Sequence, residues 1–145
     1  MEVQSTFDDV NLILRLYELR REAKLRAARQ WFGSSFKAKN MDEMAALCPP
    51  GSEQDAYFRM VISYWEMAAS FITSGVLNRE LFFQSGGELL FVWEKVKDLV
   101  PQVREAYKNP AAYKNLETAA GEFIQWMNKR APEAYAAFSD RIRGN

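Results

Sequence analysis

The hydrophobic pattern is densest between a stop at Cys48-Pro49-Pro50-Gly51 and another at Ser74-Gly75. Between them lie roughly 22 residues free of Pro and Gly, about 33 Å of helix at 1.5 Å per residue. Ser52 is placed to cap the first turn, with Asp55 three residues on. Polar side chains recur at Asp55, Arg59, Ser63, Glu66, Ser70 and Thr73, steps of three and four that draw one narrow stripe along a helix. Tyr57, Phe58, Val61, Ile62, Tyr64, Trp65, Ala68, Ala69, Phe71 and Ile72 take most of the remaining circumference. A helix apolar on so much of its surface must be wrapped by others, so this segment is expected to be the buried centre of the fold.

The pattern elsewhere is also helical. A first long helix is predicted from Phe7 to Phe32, capped by Asp8 or Asp9 and ended by Gly33-Ser34, with Leu12, Leu16, Leu19 and Ala23 on one apolar row and Val10, Leu14, Tyr17, Leu25 and Ala28 on another. Asn40 with Glu43 starts a short helix that stops before the two prolines. Asn78 caps another over Arg79 to Phe83, and Ser85-Gly86-Gly87-Glu88 reads as a turn leading into a capping box. The helix from Gly87 to Leu99 is expected to bury Leu89, Val92, Trp93, Val96 and Leu99 and to keep Glu94, Lys95, Lys97 and Asp98 wet. Pro101 restarts or kinks it. Asn109-Pro110 opens a helix to Arg130 that contains Gly121, a residue a close helix crossing would explain. The last helix, Glu133 to Arg141, buries Tyr135, Phe138 and Ile142. No strand pattern or internal repeat of useful length is present. The expectation is an all-α single domain over 1–145: four long helices plus two or three short ones around the buried central helix.

Composition narrows the function classes. Lys+Arg and Asp+Glu each number 19, so no basic excess marks a dedicated nucleic-acid binder, and nucleic acid is not the expected partner. No apolar run is long enough for a transmembrane segment, and the acidic, polar start MEVQSTFDD does not resemble a signal peptide. The expected location is cytoplasmic. The single Cys48 cannot form an internal disulfide and reads as a thiol beside a turn. The complete absence of His excludes Ser-His-Asp and Cys-His nucleophile systems, Glu-x-x-His di-iron bundles and helical ribonucleases built on an Arg…His motif. No phosphate-cradling glycine run is present. No metal or cofactor is expected.

Two polar groupings stand out. Arg59, Ser63 and Glu66 lie on one stripe of the central helix, where Arg104 or Glu117 from neighbouring helices can join them. They form either a polar pocket or an internal ion pair that fixes helix register. A buried Glu66 would call for a cation or hydroxyl nearby. Arg20, Arg21 and Lys24, with Arg29, Lys37 and Lys39 further on, form a basic cluster centred on the first helix. They are either a solvated face or a contact for an anionic ligand, nucleic acid or lipid. The aromatic set around Trp65, Phe82, Phe83, Trp93 and Trp126 is expected in the core, and Phe91 is the best candidate for an exposed interaction patch.

Ser63-Tyr64-Trp65-Glu66 with Ala68 and Ala69, Gly75-Val76-Leu77-Asn78-Arg79-Glu80-Leu81-Phe82-Phe83, Trp93-Glu94-Lys95, Arg104, and Asn109-Pro110 with Tyr113, Leu116 and Glu117 together resemble domain-of-unknown-function family 4760, a bacterial helical family. The likeness covers roughly Tyr57 to Ala120. It implies a helical fold throughout and brings no activity with it. Many members of that family carry transmembrane segments ahead of the domain, a feature this sequence does not show. The leading expectation is a non-catalytic helical module that binds a protein partner or forms a homodimer. The alternatives are an accessory domain binding an anionic ligand or nucleic acid through the basic first helix, and an enzyme working with carboxylate, Arg and Tyr groups alone.

Overall fold

A computed structural model describes residues 4–144. Among these residues every regular element is helical: α1 (Phe7–Arg20), α2 (Ala23–Ser35), α3 (Met41–Leu47), α4 (Glu53–Thr73), α5 (Arg79–Phe83), α6 (Gly87–Val96), α7 (Val100–Ala106), α8 (Lys114–Arg130) and α9 (Ala134–Arg143).

The central helix forms as its pattern requires. The Ser52 hydroxyl accepts from the Asp55 amide at 3.1 Å, and Gly75 takes a left-handed φ of +83° just after the last turn. Phe58, Val61, Ile62, Tyr64, Trp65, Ala68, Ala69 and Ile72 are all buried. The helix packs against α2 on one flank and α8 on the other, with α6 also against it. Side chains from all four meet in a continuous core. Phe36 stacks between Phe32 and Phe58, with centroids at 4.9 and 5.1 Å. Phe83, Phe123 and Trp126 form a second aromatic knot.

The first departure from the sequence pattern is at its start. The predicted helix Phe7–Phe32 is two helices, broken at Arg21-Glu22 without Pro or Gly. Glu22 leaves the helical region, at φ −57° and ψ 140°, and its carboxylate accepts from the Leu25 amide at 3.0 Å, which caps α2. The Arg20 carbonyl, left open at the end of α1, accepts from the Arg29 guanidinium at 3.1 Å. Thr6, not Asp8 or Asp9, is the residue at the start of α1, while Asp9 accepts from the Thr6 amide as the reciprocal half of a capping box. Gly33 does not end α2, which continues to Ser35.

The break changes which face of α1 is buried. Leu16 is fully packed, whereas Val10, Leu14 and Tyr17, expected on an apolar row inside the bundle, face solvent.

Four further expectations are corrected. The Asn109-Pro110 pair sits in a turn, and α8 begins only at Lys114, after Tyr113 in the left-handed region at φ 57°. A Cβ at Gly121 would meet nothing within 4 Å, so no close crossing explains that glycine. Glu94, assigned to a wet face, is buried at 1% exposure. No residue of α9 is fully buried; Tyr135, Phe138 and Ile142 are half-buried where α9 lies across α6 and α8.

Candidate functional site

The Arg59–Ser63–Glu66 stripe does not form a pocket. Arg59 is exposed and pairs along its own helix with Asp55 at 3.5 Å. The Ser63 hydroxyl donates back to the Arg59 carbonyl. Glu66 is half-buried and turned towards α8, where it accepts from the Leu116 amide and the Asn115 side-chain amide, both at 2.8 Å, and from the Asn115 backbone amide at 3.3 Å. Its partners are therefore two backbone amides and one side-chain amide at the start of α8, not the cation or hydroxyl expected for it. A carboxylate from α4 caps α8, a helix whose N-cap Tyr113 supplies no side-chain cap of its own.

Arg104 and Glu117 do meet. The guanidinium donates to Glu117 at 3.1 Å and to the Ala112 carbonyl at 2.9 Å, which ties down the turn that leads into α8. Partial burial opposes ionisation of Glu117, but hydrogen bonds from Arg104 and Lys114 outweigh it and hold its carboxyl below the usual range. Glu66, Arg104 and Glu117 thus fix the start of α8.

The basic cluster on the first helix also separates. Arg29 makes a two-pronged contact with Glu88, with Nε and Nη2 each at 2.7 Å from an oxygen. Arg20 approaches the same carboxylate at 3.7 Å and lies over the Trp65 and Tyr17 rings. Both are therefore internal to the structure, and Glu88 serves them in place of the capping box read from the sequence. Arg21 and Lys24 remain exposed, with Arg21 over Tyr17.

Several functional-looking groups had no sequence signal. Glu94 accepts hydrogen bonds from Tyr135, from Ser139 at 2.9 Å and from Lys97 at 3.1 Å. Its Tyr and Ser partners lie more than forty positions away, so no local motif announces them. Arg143 adds a bond to the Glu94 carbonyl at 3.2 Å and pairs with Asp98 at 2.6 Å. These contacts latch α9 to α6. Asp9 accepts from the Asn78 amide at 2.8 Å, and that bond, with those from Thr6, holds its carboxyl below the ordinary range.

Lys95 donates to the Phe32 and Gly33 carbonyls at 3.0 and 3.1 Å at the end of α2, with its ammonium over the Phe32 and Phe91 rings. Phe91, the candidate for exposure, is thereby half-covered. Cys48 is buried and its thiol is pushed up by burial. No group of three or more metal-ligating side chains converges among the described residues.

Two of the openings and one surface stand out. A cavity of about 630 Å³ lies beside Phe32, Phe91, Phe138 and Arg26. A second, of about 450 Å³, lies beyond Phe91 between α2, α6 and α9. The surface is the outer face of α1, where Phe7, Val10, Leu14 and Tyr17 are 85%, 41%, 54% and 50% exposed. Their spacing of three, four and three is that of the a and d positions of a heptad, and their exposure is hidden in the sequence because the Arg21-Glu22 break cannot be read there.

The family described as "Domain of unknown function (DUF4760)" matches over residues 5–126. No curated protein and no solved structure matches the chain. No helix among the described residues is long and apolar enough to cross a membrane.

Proposed function

We propose that this chain, which belongs to the DUF4760 family, is a non-catalytic interaction module that pairs with a second copy of itself through the outer face of α1. The observation that carries the reading is the exposed row Phe7, Val10, Leu14 and Tyr17. Scattered single hydrophobes on a surface need no explanation, but four in heptad register on one helix do. A narrow convex seam fits another helix better than it fits a small molecule. A two-fold axis makes one such seam complementary to itself, since the same patch serves both subunits.

The occupied carboxylates favour this non-catalytic reading. Glu66 and Glu94 are each occupied by hydrogen bonds that hold helices together, and Asp98, which lines the same cavity as Glu94, is paired with Arg143. The reading also places the chain in the cytoplasm, where the free Cys48 thiol stays reduced.

Light scattering across a concentration series tests it. A single helix pair is a small interface, so association is expected at roughly 10–100 μM. Leu14→Glu is expected to leave a monomer with an unchanged circular dichroism spectrum. A wild-type chain that stays monomeric at several times that concentration overturns the proposal.

A further inference from the structure

The cavity of about 450 Å³ between the end of α2, α6 and α9 is walled by opposite chemistries. Phe91 and Ile142 supply apolar surface, and Lys37, Lys39 and Lys95, together with Arg141 and Arg143, supply positive charge. The two carboxylates at its edge are already taken. Asp98 is held by Arg143 at 2.6 Å, and Glu94 by Lys97, Tyr135 and Ser139. None of the three lysines makes an ion pair among the described residues. Lys95 spends two of its three N–H donors on the Phe32 and Gly33 carbonyls, which leaves one. The cavity therefore gathers three lysines and no unoccupied acid. Burial depresses the Lys95 ammonium, and the nearby Lys37 charge adds to that, as expected where cations face each other without an anion.

We infer that this cavity is a binding site for a small organic phosphate, its phosphate met by Lys37, Lys39 and Lys95 and its apolar body set against Phe91 and Ile142. Three ammonium groups call for more than one negative charge, which favours a phosphomonoester over a carboxylate. Lysine is a compact charge suited to phosphate without a fixed approach angle. The half-apolar lining favours an ester with an aromatic or aliphatic group over the bare ion. The site lies on the end of α2, the segment that follows it, α6 and α9 and does not involve the outer face of α1, so it stands or falls independently of the pairing proposed above.

Calorimetric titration of the full chain with phenyl phosphate, and separately with inorganic phosphate, tests the inference. Phenyl phosphate is expected to bind with a dissociation constant of roughly a millimolar or below, as its size allows. Inorganic phosphate is expected to bind several-fold more weakly. Lys95→Gln is expected to weaken phenyl phosphate about tenfold, the usual worth of one charge-assisted bond. Because Lys95 also closes α2, the double variant Lys37→Gln/Lys39→Gln, both exposed positions, provides the same readout without disturbing the fold and should weaken binding at least as much. No saturable binding of phenyl phosphate at tens of millimolar overturns the site, as does unchanged affinity in the double variant. Equal affinity for the two probes overturns the amphipathic assignment.

Discussion

Replacing Lys97 should cost more stability than replacing the buried carboxylate it serves, and replacing both should recover part of the loss. The Glu94 side chain is wholly enclosed, while Lys97 keeps 28% of its side chain in contact with solvent. Glu94→Gln leaves an isosteric acceptor for Tyr135 and Lys97 and an amide facing Ser139, and the freed ammonium can turn to water. The cost is about 1–2 kcal/mol, that of weakening charged hydrogen bonds. Lys97→Met instead leaves a carboxylate enclosed with two hydroxyl donors and no cation. Breaking a buried pair from this side costs about 3–5 kcal/mol, and the retained Tyr135 and Ser139 bonds put the value near 3. In the double variant the enclosed group is a neutral amide, so the loss should return to about 1–2 kcal/mol and the coupling should be strongly non-additive. Urea unfolding followed by tryptophan fluorescence measures this, provided the slope is unchanged among the variants. A Lys97→Met loss below about 1 kcal/mol, or additive single costs, would refute the claim that a charged, enclosed Glu94 holds α9 in place.

Glu66→Ala removes the acceptor for the Leu116 and Asn115 amides and should lower stability by about 1–2 kcal/mol, seen as a reduced thermal midpoint, with Glu66→Gln costing less. Stability should also fall at alkaline pH. Burial pushes the Tyr64 hydroxyl from 10.0 up to about 12, and Lys97 and Tyr135 are also raised. A raised folded value stabilises below the unfolded one, so the Tyr64 contribution, about 2–3 kcal/mol, is intact up to pH 10 and lost as pH climbs towards 12. The carboxyls of Asp9 and Glu117 are depressed instead, so their contributions are present above their ordinary values and vanish as acid is added. Denaturant midpoints measured across the pH range check both limbs, and an unchanged midpoint from pH 9 to 12 contradicts the Tyr64 account.

Features set by near neighbours were legible in the sequence. Ser52 before α4, Asn40 before α3 and Asn78 before α5 each satisfy an amide three residues on, so short-range spacing reveals them. The enclosure of α4 was legible as well, because only a surrounded helix can carry so thin a polar stripe. What depends on distant partners was not. Glu22 lay inside the helix predicted from Phe7 to Phe32, yet it ends one helix and begins the next. Glu94 looked wet because its hydroxyl partners lie on α9, and Glu88 looked like a local cap because Arg29 is 59 positions away. The exposed seam on α1 was lost for the same reason: an apolar row in sequence says that a face needs cover, and only the chain path says whether the cover is internal.

The bond from the Asn78 amide to Asp9 joins positions 69 apart. A chain made from its N-terminus releases α1 first but cannot anchor it there until the end of α4 and the loop after it have left the ribosome. Through that interval both sides of α1 are bare, the inner one with Leu16 and the outer one with Leu14 and Tyr17. The order of synthesis therefore leaves the earliest helix waiting longest for its place, and a neighbouring nascent chain is the surface best able to meet it in the meantime.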